Sequence, residues 1–233
     1  MAAFDRVLVL ETAGKVGQVA LASGGAILAE GTTEESRRRA SDLAVVVARL
    51  LSVHGWKARE LTAVVVGLGP GSYTGLRVGL ASAKAVAYAA GSAFFGVETF
   101  AAVAARAPAE AATVSVVADA LQGKLFRRDY RRDDTGKWQP AGELGVIASD
   151  EWLATLAAGT WVSGPAVALL AGRLSQGVNL VDPAARAPRP ADLLSVAQHA
   201  PWAVTTDMWT AEPFYLRGSS AEEKARTVST PAR

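Results

Sequence analysis

Hydrophobic residues in the first part of the chain form short runs, which glycine-bearing turns or helically spaced segments separate. Three strand-length runs come first and are joined at Gly14 and at Gly24-Gly25, so they predict an antiparallel meander. Two helical patterns then alternate with two purely apolar strands, an order that predicts an α/β lobe with a mixed sheet. The predicted strands are 7–11, 16–22, 26–30, 63–68 and 93–96, and the predicted helices are 41–52 and 74–90.

A looser pattern follows the break at Ala107-Pro108-Ala109. It contains three further strand-like runs and a short amphipathic helix, predicted at 113–118, 124–132, 160–163 and 190–199. We therefore divide the chain into a first lobe of residues 1–106, a smaller second lobe of residues 107–217 and a polar tail of residues 218–233.

The composition narrows the classes of protein that this chain can be. Its 233 residues are 50% hydrophobic, which is enough for a sizeable core, and the formal net charge of +2 gives no argument for a nucleic-acid binder. The absence of cysteine excludes disulfides and thiolate zinc sites. The N-terminus lacks the basic-then-apolar pattern of a signal peptide, and no apolar run approaches the roughly 20 residues of a membrane span. We expect a cytoplasmic protein with no membrane segment.

Residues 69–79 read GPGSYTGLRVG and lie between a predicted buried strand and a predicted helix. Backbone N–H groups at such a position can hold an anion, but the lysine of a P-loop and the GxGxxG spacing are both missing. A structural turn, in which Ser72 or Thr74 caps the helix, is therefore favoured.

The helix that follows this loop is rich in small residues. Gly75 and Gly79 stand one turn apart on one face, and alanines and Ser82 occupy much of the rest. Small faces let two backbones approach closely, so we predict that one face packs on the sheet and another on a second protein.

Candidate catalytic residues are few. Glu11 and Asp119 each end a predicted strand, where a solvated strand end or a turn is the simpler interpretation. His54 and His199 lack a second ligand at helical spacing, so no metal site is expected. No Gly-x-Ser-x-Gly elbow or Ser/His/Asp set is visible.

Arginine is concentrated in the segment FRRDYRRDD, residues 126–134. Phosphate contact is one interpretation, but the interleaved aspartates favour a solvated edge strand. The run Arg37-Arg38-Arg39 opens a helix at its positive end, which makes a binding role somewhat more attractive there.

Four segments resemble, in order, the TsaB (YeaZ) family, and together they span nearly the whole chain. The pattern GPGS-aromatic-TG-x-R-x-G is the most specific of their motifs. The resemblance implies an α/β protein with the two-lobed actin-like (ASKHA, ribonuclease H-like) fold and mixed sheets. The segments are LETAGKVGQVAL, GLGPGSYTGLRVGLASAKAVAYAAG, VVADALQGKLFRRDYRRDDTGKW and AEPFYLR.

The resemblance also implies a function in making N6-threonylcarbamoyladenosine (t6A) on tRNA. Family members are non-catalytic partners of the threonylcarbamoyltransferase TsaD, and the ATPase TsaE completes the assembly. The implied partners are thus TsaD, TsaE through the complex, tRNA indirectly, and a second copy when the chain is isolated. ATP and Mg²⁺ are used by those partners, and no cofactor or metal is expected on this chain alone.

The implied partner surface lies on the two helices of the first lobe. Carried over to this sequence, it comprises Ser41, Val45, Ser72, Tyr73, Thr74, Gly75, Arg77, Val78, Gly79, Ser82, Ala83 and Val86.

Two alternatives stay open. An actin-like ATP-binding enzyme would use Glu11, Thr12 and Ser72 near phosphate and Mg²⁺, and a glycoprotease-like peptidase would need a nucleophile that the sequence does not show. The chain also departs from the family pattern. Glu11 replaces the usual aspartate, Arg39-Ala40-Ser41 replaces a His-Ser/Thr pair, and Asp119-Ala120-Leu121 replaces Asp-Ala-Arg.

Overall fold

The computed structural model describes residues 4–34 and 39–216 and contains two six-stranded sheets. The two sheets confirm the predicted α/β class. The strands are β1 Arg6–Glu11, β2 Gln18–Ser23, β3 Ala26–Thr32, β4 Ala63–Gly67, β5 Ala93–Val97, β6 Thr113–Asp119, β7 Lys124–Arg132, β8 Trp138–Pro140, β9 Gly145–Ala148, β10 Trp161–Ser163, β11 Asn179–Leu180 and β12 Val204–Thr205. The helices are α1 Arg39–Val53, α2 Tyr73–Ala90, α3 Thr99–Ala104, α4 Ser149–Thr155, α5 Val167–Leu170 and α6 Pro190–His199, with 3₁₀ turns at Ala58–Glu60, Ala171–Arg173, Pro183–Ala185 and Pro201–Ala203.

The first sheet has the strand order β12-β5-β4-β1-β2-β3. β1, β2 and β3 pair antiparallel, which confirms the predicted meander, whereas β4 lies parallel to both β1 and β5. β4 is buried along its whole length, because helices cover both faces of the sheet there. The helices α1 and α2 pack on one face, and α3 and α6 pack on the other.

The second sheet runs β11-β10-β6-β7-β8, and β9 also pairs with β7. The edge position predicted for β7 is therefore wrong, since β7 is paired with β6 on one side and with β8 and β9 on the other. Arginine side chains of β7 also contact other parts of the protein, and Arg132 is an example. The Arg132 guanidinium donates to the carbonyl oxygens of Ala111 and Gly136 and lies 4.2 Å from the Trp138 ring centre.

The end of the chain returns to the first lobe. α6 packs against β1, β4 and β5, and β12 pairs antiparallel with β5. The assignment of all residues from 107 to 217 to the second lobe thus needs correction, because 190–205 complete the first sheet and its core. Sequence periodicity could not show this, since the pairing joins strands about a hundred residues apart.

The predicted tail of residues 218–233 lies outside the described residues, as do Arg37, Arg38 and the side chains of Arg39 and Ser41. Over the residues that are described, no helix is both long and apolar enough to cross a membrane.

Candidate functional site

Glu11 lies at the carboxyl end of β1 and is buried, so the solvated strand end that the sequence predicts is wrong. Its Oε1 accepts the backbone N–H of Ala13 at 2.6 Å, and its Oε2 accepts the hydroxyl of Thr99 at 3.1 Å. The same Thr99 oxygen accepts the N–H of Gly69 at 3.1 Å. Burial raises the pKa of Glu11 to about 7, although the hydrogen bonds from Ala13 and Thr99 act to lower it.

Three glycines surround the turn between β1 and β2. A Cβ on Gly67 would lie 2.2 Å from Glu11 Oε2, and one on Gly71 would lie 2.5 Å from the Ala13 carbonyl oxygen. A Cβ on Gly79 would lie 2.1 Å from the Thr12 hydroxyl oxygen. These positions are closer than carbon atoms approach in proteins, so the backbone needs glycine there. The glycines therefore serve close internal packing.

The loop before α2 is a strand-to-helix turn, as the structural interpretation predicted. The Ser72 hydroxyl accepts the Gly75 N–H at 3.3 Å and caps the helix, and the Ser72 N–H donates to the Ala13 carbonyl at 2.8 Å. Gly69 has a φ of 91°, and the Gly69–Pro70 peptide bond is cis. The loop is thus fastened to the β1–β2 turn.

The residues predicted on α2 for a partner do not share one face. Gly75, Gly79 and Ala83 are buried inside the lobe, so their place on an exposed partner face is a wrong prediction. Helical spacing identifies a small face without showing what covers it, and here Thr12 covers Gly79. The other predicted residues on this helix and its cap remain accessible, with Thr74 and Arg77 exposed and Ser72, Tyr73, Val78, Ser82 and Val86 half-buried.

The outer sides of α1 and α2 form an apolar, small-residue surface. Val45 on α1 is 67% exposed, and α1 packs directly against α2. We call this area the α1–α2 surface. Its residues are Ala44, Val45, Ala48, Val78, Ala81, Ser82, Ala85 and Val86, all at least partly exposed.

Arg77 lies at the N-terminal end of this surface and is fixed by neighbouring aromatic rings. Its guanidinium donates to the Tyr73 hydroxyl at 3.1 Å and lies 5.4 Å from that ring's centre. The Tyr73 ring in turn lies 4.9 Å from the Tyr215 ring, on the segment that follows β12. Arg77, Tyr73 and Tyr215 thus form a connected group of side chains at the start of α2.

A cleft of about 650 Å³ opens between the two lobes. The first lobe contributes Ala13 to Lys15 and the start of α2, and the second lobe contributes Ala118 to Leu121 and the start of α5. Sequence reasoning missed most of this site, because its apolar residues come from segments that are distant in the chain. The signal that the sequence offered for this site was an acidic residue at the end of two strands, Glu11 on β1 and Asp119 on β6.

These residues do not fit a magnesium-bound nucleotide, the ligand that an actin-like enzyme would need. The Glu11 carboxyl is enclosed by Ala13 and Thr99, while Lys15 and Asp119 are the sole charged residues among the described residues lining the cleft. Within the described ranges no three acidic or histidine side chains are grouped for a metal.

A second buried polar group joins the lobes and also escaped sequence reasoning. Glu98, which is 3% exposed, accepts hydrogen bonds from the Tyr130 hydroxyl and the Arg128 guanidinium. Burial raises the pKa of Glu98, and these two donors act against that rise. Burial and the nearby Glu98 carboxylate raise the pKa of Tyr130 well above its usual range.

Comparison with known proteins gives the family. A family model described as "TsaD: tRNA N6-adenosine threonylcarbamoyltransferase" matches residues 27–158, which is more than half of the chain. The Escherichia coli (strain K12) "tRNA threonylcarbamoyladenosine biosynthesis protein TsaB" is 29% identical over 94% of this chain and 97% of its own length. The chain belongs to the TsaB (YeaZ) family.

Two further members agree with this assignment. The TsaB protein of Bacillus subtilis (strain 168) is 26% identical over 64% of this chain and 65% of its own length. The solved structure of YeaZ from Pseudomonas aeruginosa superposes with a TM-score of 0.73 and 26% identity, covering 91% of this chain and 100% of that one. The predicted TsaB (YeaZ) membership and actin-like α/β fold are thereby confirmed.

Proposed function

We propose that this protein takes part in t6A biosynthesis as a non-catalytic subunit that binds a TsaD-like threonylcarbamoyltransferase. Its family membership supports the pathway, since the full-length E. coli relative is a t6A biosynthesis protein. The observation that carries the subunit function is the α1–α2 surface, where apolar side chains from two adjacent helices remain exposed.

The composition of this surface suits a protein partner. Contiguous exposed apolar area costs free energy in water, and a partner that covers it recovers about 25 cal/mol per Å². Alanine and serine side chains at Ala81, Ser82 and Ala85 let a second helix approach closely. Arg77 adds a positioned cation at one end, suited to a specific polar contact. A second copy of this chain would use the same surface when TsaD is absent.

The test introduces a large charged side chain where it does not disturb the fold. Ala85→Arg and Ala81→Arg place arginine at exposed positions of α2, in contrast to Gly79→Arg, which would collide with Thr12. We expect each exposed variant to weaken binding to the TsaD-like subunit by at least about tenfold, as isothermal titration calorimetry would measure. Formation of t6A by the reconstituted complex should fall in parallel.

The matched control is Ala154→Arg, which makes the same change at an exposed position of α4 in the second lobe. This control should bind the TsaD-like subunit and support t6A formation like the wild type. All three variants should have the unfolding midpoint of the wild type. Full t6A formation without this chain would contradict the proposed function. Wild-type affinity in both α2 variants would show that the partner binds elsewhere.

A further inference from the structure

The interlobe cleft has the size and enclosure of a small-molecule site. Its volume of about 650 Å³ lies within the range of roughly 300–1,000 Å³ that is usual for ligand pockets. Both lobes contribute walls, and a continuous hydrophobic core joins the lobes beneath it. The cleft is therefore formed by the described residues of this chain alone.

Apolar side chains dominate the walls. Phe100 and Val103 come from α3 and Phe126 from β7, and all three are buried, whereas Leu121 comes from the turn after β6 and Leu169 from α5. The two leucines are 59% and 68% exposed, although leucine side chains favour burial. Leu121 also adopts a φ of 64°, which bulky residues rarely do. Apolar side chains from both lobes thus line one space, and the second lobe contributes two exposed leucines that an apolar ligand body would cover.

The charged residues that line the cleft indicate which kind of apolar ligand would bind there. Lys15 lines the first-lobe wall, and within the described residues it forms no ion pair. The N-terminus of α2 lies in the same wall, and its dipole also favours negative charge. Asp119 lies in the second-lobe wall, and its Oδ1 accepts the Leu121 N–H at 2.7 Å. One cation opposed by one carboxylate accommodates a single negative charge better than a polyphosphate.

We propose that the cleft binds a small amphipathic organic monoanion, with its carboxylate or sulfonate beside Lys15 and its aromatic or aliphatic body against Leu121 and Leu169. The site is separate from the α1–α2 surface, so its existence does not depend on the proposed function.

The test compares two dyes that differ by one charged group. The first is 8-anilinonaphthalene-1-sulfonate, an aromatic monoanion, and the second is N-phenyl-1-naphthylamine, its neutral counterpart. Fluorescence titration of the folded chain should give one saturable site for each dye, with the sulfonate bound more tightly. Ala168→Trp, at an exposed lining position, should abolish both signals by filling the cleft.

Lys15→Met separates charge recognition from apolar binding. It should weaken the sulfonate dye at least about tenfold and leave the neutral dye unchanged, because methionine keeps the apolar stem and removes the charge. The control Lys137→Met removes an exposed lysine elsewhere and should change neither affinity.

Three results would overturn the proposal. The first is the absence of a saturable site in the wild type, or binding that Ala168→Trp leaves intact. The second is an equal effect of Lys15→Met on the affinity for both dyes, which would show that Lys15 does not recognise the anionic group. The third is displacement of the sulfonate dye by ATP that requires Mg²⁺, which would assign the cleft to a nucleotide. None of these results bears on TsaD binding, which the α2 variants test separately.

Discussion

At the scale of single residues, Glu11 has the most unusual environment among the predicted site residues. Its carboxyl is wrapped by Ala13, Thr99 and the glycine backbone at Gly67, where no Cβ could fit. The Glu11 side chain connects the end of β1 to the start of α3 through its hydrogen bond from Thr99. A titrating group in this position makes the stability of the fold depend on pH.

We expect the stability of the protein to fall between pH 5 and pH 8 because of Glu11. The unfolded chain releases this proton near the ordinary pKa of 4.5, and the folded chain releases it at about 7. The contribution is full below pH 4.5 and is lost as the pH rises through 7, by about 3 kcal/mol in the free energy of unfolding. Glu11→Gln, which cannot ionise, should therefore become more stable relative to the wild type as the pH rises.

Urea unfolding at several pH values measures this difference directly. Glu151→Gln changes an exposed carboxyl on α4 and serves as the control, with a curve parallel to that of the wild type. Parallel curves for Glu11→Gln and the wild type would contradict the expected titration.

At the scale of elements, α2 is positioned by the turn between β1 and β2. Gly79 contacts Thr12, and Gly71 contacts Ala13, so the helix lies closer to the turn than any larger residue would allow. The Thr12 hydroxyl is buried against Gly79 and has no hydrogen-bond partner among the described residues, which costs the fold some stability. This contact fixes which faces of α2 remain available to a partner.

Gly79→Ala should destabilise the protein, even though alanine is the better helix former. Its Cβ would lie 2.1 Å from the Thr12 oxygen, and overpacking of this kind costs about 1–3 kcal/mol. Thr12→Ala removes the colliding hydroxyl, so the double variant should recover part of the loss. Chemical denaturation checks both results.

Gly172→Ala provides the comparison, since nothing lies within 4 Å of the position that its Cβ would take. It should be neutral or slightly stabilising. A Gly79→Ala variant as stable as Gly172→Ala would show that α2 can shift away from the turn without cost.

The same helix shows how far the sequence could be interpreted. Its predicted bounds, 74–90, rested on a cap at Ser72 or Thr74 and on Gly91; the structure selects Ser72, begins the helix at Tyr73, and gives Gly91 a left-handed φ of 63°. The small residues correctly predicted that another backbone approaches α2 closely. The neighbour at Gly79 is the turn between β1 and β2, however, and not a second protein. The location of Thr12 against Gly79 depends on how β1 and β4 pair, which local spacing does not encode. The bounds of α6 were likewise predicted, while its location on the first sheet was not.

At the scale of the whole molecule, Glu98 connects the two lobes. It precedes α3 in the first lobe, and its two donors, Arg128 and Tyr130, lie on β7 in the second. The hydrophobic core around it includes Phe100 and Val116, so the lobes share one interior. We expect the lobes to unfold together as a single cooperative unit.

Arg128→Met should lower the stability of both lobes equally, by about 3 kcal/mol, because it leaves a buried carboxylate without its cation. Tyr130→Phe removes one neutral donor and should cost less, about 1–2 kcal/mol. Amide hydrogen exchange in β4 and in β6 would report each lobe. A loss of amide-exchange protection confined to the second lobe would contradict the shared core. The double variant Glu98→Gln/Arg128→Met should regain part of the stability that Arg128→Met alone loses.

The return of the chain to its first sheet has a consequence for synthesis on the ribosome. β5 forms the edge of that sheet until β12 pairs with it. The face on which α3 lies receives α6 only after residue 199 has been made. Domains that are continuous in sequence can fold as their N-terminal part emerges. Here the newly made first lobe keeps an open strand edge, and a sheet face without α6, until residues 190–205 have left the exit tunnel. We therefore expect a window during synthesis in which a chaperone can bind that face.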